Sequence, residues 1–251
     1  IEAVDDTWQA EALQLNIIYE DNDLIIINKP AGMVVHPGAG NHQGTLVNAL
    51  LHHAPQLEII PRAGIVHRID KGTTGLLMIA KTLQAHNSLV NQLQERTVKR
   101  EYQAIAMGVM TAGGTVDEPI GRHHIERKRM AVTNTGKPAI THYRVEKRYR
   151  AHTHIRCKLE TGRTHQIRVH MAHIRYPLLG DPSYGGRIRL PKGATESCRE
   201  ALRDFKRQAL HAGSLGFIHP TTEKEVSWQV DMPQDMLDIL AVLESDLAQN
   251  S

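Results

Sequence analysis

The segment GIVHRIDKGTTGLLMIAKT, residues 64–82, sets three chemically able side chains, His67, Arg68 and Asp70, among small turn residues. The apolar residues on either side, 64–66 and 76–80, are β-branched and aliphatic and predict two strands. A carboxylate in such a turn can act as a nucleophile or general base if the fold encloses it and supplies a counter-charge. It can equally be structural, bonding nearby amides in a network with Thr73 and Thr74, and the local pattern leaves both readings open. Other chemistries fail on spacing. One residue separates Arg68 from Asp70, with neither a DFG motif nor a kinase glycine-rich loop elsewhere, and there is no G-x-S-x-G elbow for a serine hydrolase. The GAGNHQG stretch, residues 38–44, reads G-x-G-x-x-x-G, one residue too long for a dinucleotide fingerprint, so a nucleotide-dependent enzyme is the weakest alternative. The sixteen histidines are scattered. His165, His170 and His173 lack an H-E-x-x-H pattern and a matching carboxylate, and His152 and His154 share a strand face without a third ligand, so no metal is expected.

The elements that must position these groups follow from periodicity. Residues 24–28 (LIIIN) predict a buried strand ended by the Lys29, Pro30, Gly32 turn, and Thr45 is the expected N-cap of a helix over 46–53. A helix over 83–98 places Leu89, Val90 and Leu93 inward, and a strand follows over 100–108. Residues 139–150 and 152–160 predict an antiparallel pair, 162–175 a loop followed by a helix, and 210–218 and 226–230 two further strands. Met236, Leu240, Leu243 and Leu247 form a helical stripe that is core packing. Strands outnumber helices without alternating strictly with them, which points to an α+β domain with a large mixed or antiparallel sheet.

Composition narrows the partner. With 41% hydrophobic and 23% charged residues the 251-residue chain is globular, and no apolar run nears the roughly 20 residues of a membrane span. The first residues lack a signal peptide's basic and hydrophobic regions, so a cytoplasmic location is expected. Cys157 and Cys198 are too far apart in sequence to mark a zinc site or a disulfide framework. The charge is unevenly spread: residues 1–28 hold seven acids and no Lys or Arg, whereas 122–192 hold 17 Lys or Arg against four acids. That basic block, with Arg122, Arg127, Lys128 and Arg129 in loop-like sequence, predicts a polyanionic partner.

Six stretches then make the pattern specific. NKPAG (28–32), HRIDKGTTG (67–75), REYQA (100–104), GKPAITHY (136–143), LETGRTHQIRVHM (159–171) and GDPSYGG (180–186) occur in an order that resembles the RluA family of pseudouridine synthases over nearly the whole chain. The resemblance implies one catalytic domain over residues 1–251. Its fold is α+β, a large mixed, mostly antiparallel sheet in two halves flanked by helices, with a basic catalytic cleft between them. It also implies an S4-type RNA-binding domain ahead of Ile1 in the full protein. The implied reaction isomerises uridine in RNA without a cofactor. The branch most resembled acts on large-subunit ribosomal RNA, in the helix 69 stem-loop, as free RNA or in a pre-ribosomal particle. Asp70 is implied as the essential aspartate, Arg168 as its arginine partner and Tyr102 as the aromatic residue against the uracil, with strand packing the plainer account of Tyr102. Arg68 is implied to enter the space left by a flipped base, and Lys29, Arg122, Lys128, Arg129, Arg163 and His165 complete the expected RNA-contacting set. A non-catalytic ribosomal-RNA-binding or ribosome-assembly protein with the same cleft is the alternative. Ile69, where the family commonly has Leu, is a conservative departure; Gly72, where a polar residue is often found, is expected to loosen the catalytic loop.

Overall fold

The computed structural model describes residues 8–38 and 40–250, so Ile1, three of the N-terminal acids and Ala39 of the GAGNHQG stretch lie outside the described residues. The chain begins with strands β1 (Ile17–Glu20) and β2 (Leu24–Lys29), helix α1 (Leu46–His53), strand β3 (Thr74–Ala80) and helix α2 (Leu83–Gln94). Strands β4 (Lys99–Met107), β5 (Gly114–Asp117), β6 (Ile120–Arg122), β7 (Met130–Val132), β8 (Ile140–Arg148) and β9 (His152–Leu159) follow. Helices α3 (Gln166–His173) and α4 (Glu196–Asp204), strands β10 (Leu210–Ile218) and β11 (Glu225–Gln229) and helix α5 (Gln234–Gln249) complete it.

Nine strands form one sheet in the order β1-β2-β3-β10-β4-β9-β8-β5, with β11 paired to β10. Every pairing is antiparallel except β3 with β10, which run parallel over Thr74 and Gly75 against His211 and Ala212. The two halves of the sheet therefore meet at the mouth of β3, immediately after the HRID turn. Residues of β3 are buried on both faces, which is why TGLLMIA reads as a continuous apolar run instead of alternating. β6 and β7 form a separate hairpin, and α3 packs against β7 and β8.

The expected mixed, mostly antiparallel sheet is present, and several boundaries match closely. Thr45 caps α1 in a reciprocal capping box with Asn48. On α5, Met236, Ile239 and Leu243 are buried, and Leu240 and Leu247 are partly buried against the same cluster.

Two expectations need correction. Residues 64–66 are not a strand. Arg62, Ala63 and Gly64 all have positive φ, at 55°, 51° and 78°, so the chain coils left-handed here and only Ile65 bridges to Ile79. Gly64 is required: a Cβ there would lie 2.0 Å from the Ala80 carbonyl oxygen. The helix expected over 83–98 stops at Gln94, because Arg96 turns into the left-handed region at φ 62° and Val98 is drawn into the core.

No described helix is long and apolar enough to cross a membrane. In the glycine-rich loop the Gly44 amide donates to the Glu11 carboxylate at 3.0 and 3.2 Å.

Candidate active site

Asp70 sits at the tip of the turn that delivers the chain into β3, closed by the Thr73 amide donating to the Asp70 carbonyl at 3.0 Å. The next three residues of that turn are gripped from two distant parts of the sequence, 29–32 and 207–208. The Lys71 carbonyl accepts from the Gly32 amide at 2.8 Å and from Lys29 Nζ at 3.2 Å. The Gly72 carbonyl accepts from Arg207 at 3.1 Å, and Thr73 Oγ1 accepts from Gln208 at 3.0 Å. The turn is thus fixed at consecutive positions, contrary to the expectation that Gly72 loosens it. A Cβ on Gly72 would instead press on Gln208 Oε1 at 2.6 Å.

The carboxylate faces α3. Arg168 Nη1 donates to Asp70 Oδ2 at 2.9 Å, while its Nε and Nη2 donate to Asp181 Oδ2 and Oδ1 at 2.7 and 2.9 Å. Asp181 is itself fixed by the amides of Ser183 and Tyr184 at 2.8 and 2.9 Å. Burial would raise the Asp181 pKa, but the Arg168 hydrogen bonds and charge, with those amides, outweigh it and hold the carboxyl below its ordinary range. Burial likewise works against the Arg168 charge, and the two carboxylates overcome it and push its pKa up. A guanidinium locked in a bidentate pair by one carboxylate presents its remaining donor to the other at a fixed angle. His165, held as the first residue before α3 at a left-handed φ of 57°, brings Nε2 to 3.7 Å from Asp70 Oδ1.

Asp70 and Arg168 open onto a cavity of about 550 Å³. Arg62, Arg68, Arg96, Arg100, Arg163 and Arg168 line it, against only two carboxylates, Asp70 and Glu160. Such a site attracts a polyanion and keeps a lone carboxylate surrounded by positive charge. Arg68 is exposed on its wall and has no hydrogen bond or ion pair with any described residue. Tyr102 also lines the cavity, yet only 6% of its surface is exposed; burial raises its pKa, opposed by Arg100.

The structure gathers Asp70, Arg168, Tyr102, Arg68, Arg163 and His165 around one opening. Arg122 and Lys128 are exposed on the β6–β7 hairpin and are not part of the cavity wall, while Arg129 reaches back to lie 5.1 Å from the Tyr184 ring centroid. Lys29 is a correction: it is fully buried, and Nζ donates to the carbonyls of Pro30, Met33 and Lys71 at 2.8, 2.9 and 3.2 Å, so it anchors the turn and has no surface to offer RNA. Sequence reasoning missed Asp181, Tyr184, Arg62 and Arg100 as site residues. The GDPSYGG and REYQA stretches were the available signal for three of them; nothing marked Arg62. Of the histidines weighed as metal ligands, His170 uses both ring nitrogens, on Thr141 Oγ1 and the Glu118 carbonyl, each at 2.9 Å. Asp21, Asp23 and His219 lie close enough to share an ion, but Asp21 already bonds His219, Tyr19 and two backbone amides.

Residues 23–173 match the sequence model of the family described as RNA pseudouridylate synthase. The protein named ribosomal large subunit pseudouridine synthase D in Pseudomonas aeruginosa is 57% identical over 95% of this chain and 75% of its own length. The protein of that name in Escherichia coli K12 is 56% identical over 97% of this chain and 74% of its own length. Among solved structures, human RNA pseudouridylate synthase domain containing 4 superposes with a TM-score of 0.71 at 26% identity, covering 91% of this chain and 93% of its own. The match extends across both halves of the sheet and over most of the motifs that converge on Asp70, and the chain belongs to the RNA pseudouridylate synthase family.

Proposed function

We propose that this pseudouridine synthase acts on uridine in large-subunit ribosomal RNA, with Asp70 as the reacting carboxylate and Arg168 as the cation that pairs with it and aims it. The observation that carries the reading is the shared guanidinium: Arg168 spends two donors on Asp181 and one, at 2.9 Å, on Asp70 at the cavity. A carboxylate enclosed by bound RNA would be driven toward its neutral form by desolvation, and a fixed cation within hydrogen-bond reach opposes that. The relatives named for the large ribosomal subunit support the choice of RNA.

The reaction breaks the bond from ribose C1′ to uracil N1 and forms one from C1′ to C5; C5 loses a proton and N1 gains one. Asp70 serves it either by attacking the nucleotide or by removing a ribose proton. A uridine inside a stem must first leave the stack, at a cost of a few kcal/mol. Arg68, which bonds no described residue, is suited to fill the space it leaves, and Tyr102 offers a face for the extruded base, where stacking contributes roughly 1 to 3 kcal/mol. Arg163 and, on the hairpin, Arg122, Lys128 and Arg129 serve the flanking phosphates, so affinity falls as salt rises.

Asp70→Asn tests the reading, since it keeps the shape and removes the charge. With RNA carrying uridine tritiated at C5, the wild-type protein releases tritium and the variant does not, although its RNA affinity persists. Release by the variant at the native rate would remove Asp70 from the chemistry, and no release by the wild-type protein would favour a binding or assembly role. Mapping pseudouridine in large-subunit RNA from cells with and without the gene tests the target; the expected loss is in the helix 69 stem-loop.

A further inference from the structure

Tyr184 does not line the cavity, yet it touches the two groups that approach the Asp70 carboxylate from α3, Arg168 and His165. Its ring is flanked by two guanidiniums, Arg129 and Arg168, with Cζ atoms 5.1 and 5.0 Å from the centroid. Its hydroxyl is 2.9 Å from the Met130 amide nitrogen on β7 and 2.8 Å from His165 Nδ1. The opposite nitrogen of that imidazole, Nε2, is the atom 3.7 Å from Asp70 Oδ1.

Donor accounting fixes the protons along this chain. The Met130 amide can only donate, so Tyr184 Oη accepts from it. The phenol carries one proton of its own, and among the described residues its partner is His165 Nδ1. Burial raises the Tyr184 pKa, so the phenol keeps that proton. Burial also lowers the His165 pKa, against the pull of the Asp70 charge, so the imidazole is neutral. A neutral imidazole that accepts at Nδ1 carries its proton on Nε2. The other tautomer would leave the phenol proton without an acceptor and set a nitrogen lone pair against a carboxylate.

We propose that Tyr184 is a positioning residue that fixes His165 as the Nε2–H tautomer facing Asp70, so that a hydrogen-bond chain from the β6–β7 hairpin ends on an imidazole N–H aimed at the reacting carboxylate. The inference rests on the reading of Asp70 given above. The left-handed backbone of His165 serves the same end, because a strained residue keeps its conformation only where its surroundings over-determine it. At 3.7 Å the last link is longer than a hydrogen bond, and catalytic contacts of this kind tighten when substrate binds. Seating of the basic hairpin on RNA bears on Met130 and Arg129, and so on the ring and hydroxyl of Tyr184.

The test is Tyr184→Phe, which leaves the ring between the two arginines and removes only the hydroxyl. With C5-tritiated RNA, kcat falls about tenfold, the scale of one lost hydrogen bond, while KM is unchanged. Nitrogen-15 spectra of histidine-labelled wild-type protein show His165 protonated at Nε2 and bare at Nδ1, and the variant shows a mixture of tautomers. In a His165→Ala background the Tyr184→Phe change adds nothing. Wild-type His165 protonated at Nδ1, an unaltered kcat, or full additivity with His165→Ala would each overturn the proposal. The wild-type spectrum decides even if the variant folds poorly. An active Asp70→Asn enzyme would overturn the reading of Asp70 while leaving the tautomer assignment standing, so the two failures are distinguishable.

Discussion

Lys29, at the end of β2, and Arg168, on α3, are both buried cations beside the Asp70 turn, and they are satisfied in opposite ways. Three backbone carbonyls surround the Lys29 ammonium, and among the described residues no carboxylate is bonded to it. Burial pushes its pKa down to about 7, against the pull of Asp70. Two carboxylates bond the Arg168 guanidinium, and its pKa is pushed up. The difference separates two tasks. Carbonyls take hydrogen bonds without cancelling charge, so Lys29 fixes where the backbone of the turn lies. Carboxylates take both, so Arg168 fixes where the Asp70 side chain points.

The largest expected effect breaks the Arg168 side. Arg168→Lys retains a positive charge but supplies a point ammonium on a flexible stem, which cannot span Asp181 and Asp70 with three aligned donors. Single-turnover measurements should show isomerisation slowed by about 100-fold or more, the cost of an ångström-scale misplacement. Arg168→Met should further cost about 3 to 5 kcal/mol of stability, because it strands the buried Asp181 charge. An Arg168→Lys enzyme with native rate and pH profile would show that any nearby cation suffices.

Lys29→Met is expected to act mainly through stability. It removes the donor for three carbonyls and also the cost of burying an ammonium, for a net loss of about 1 to 3 kcal/mol. The pH dependence identifies the cause. The folded pKa of about 7 lies below the ordinary value of 10.5, so between those limits the unfolded chain binds more protons and wild-type stability rises with pH. The variant lacks that rise. Urea unfolding across this range should therefore show the gap between the two proteins widening as pH increases; a constant gap would mean that Lys29 does not titrate with folding.

The same contrast explains what could be read from the sequence. The Asp70–Arg168 pair is legible only through the family resemblance that the HRIDKGTTG and HQIR stretches carry, since the local pattern alone leaves Asp70 open to a structural role. The resemblance implies Lys29 as an RNA contact, whereas its burial depends on carbonyls of residues 30, 33 and 71 converging, which periodicity does not encode. The GDPSYGG stretch marks Asp181 without assigning it a part in the site, since an aspartate in a G-D-P turn is ordinarily a local amide acceptor. The long strands declared themselves through buried apolar runs. The β6–β7 hairpin did not, because its strands are three residues each and only partly buried. Ile65 and Val66 have strand composition, while the left-handed turn before them accompanies the close approach of Gly64 to Ala80, which composition does not encode.

Gly72→Ala sharpens the comparison with the smallest effect. Gly72 has no positive φ, so the substitution meets no backbone penalty, and its Cβ would contact Gln208 Oε1, the far end of a flexible side chain. Displacing Gln208 weakens its 3.0 Å bond to Thr73 Oγ1. It leaves intact the Lys29 bond to Lys71, the Arg207 bond to Gly72 and the Arg168 bond to Asp70. If the turn is held jointly by these contacts, one weakened member shifts stability by about 1 kcal/mol or less and the single-turnover rate by less than about tenfold. Thermal unfolding and tritium release on the same preparation measure both. A loss of rate comparable to that of Arg168→Lys, without loss of stability, would mean that the Gln208–Thr73 bond and not Lys29 governs where Asp70 sits, because the carbonyl cage would then be intact while the carboxylate had moved.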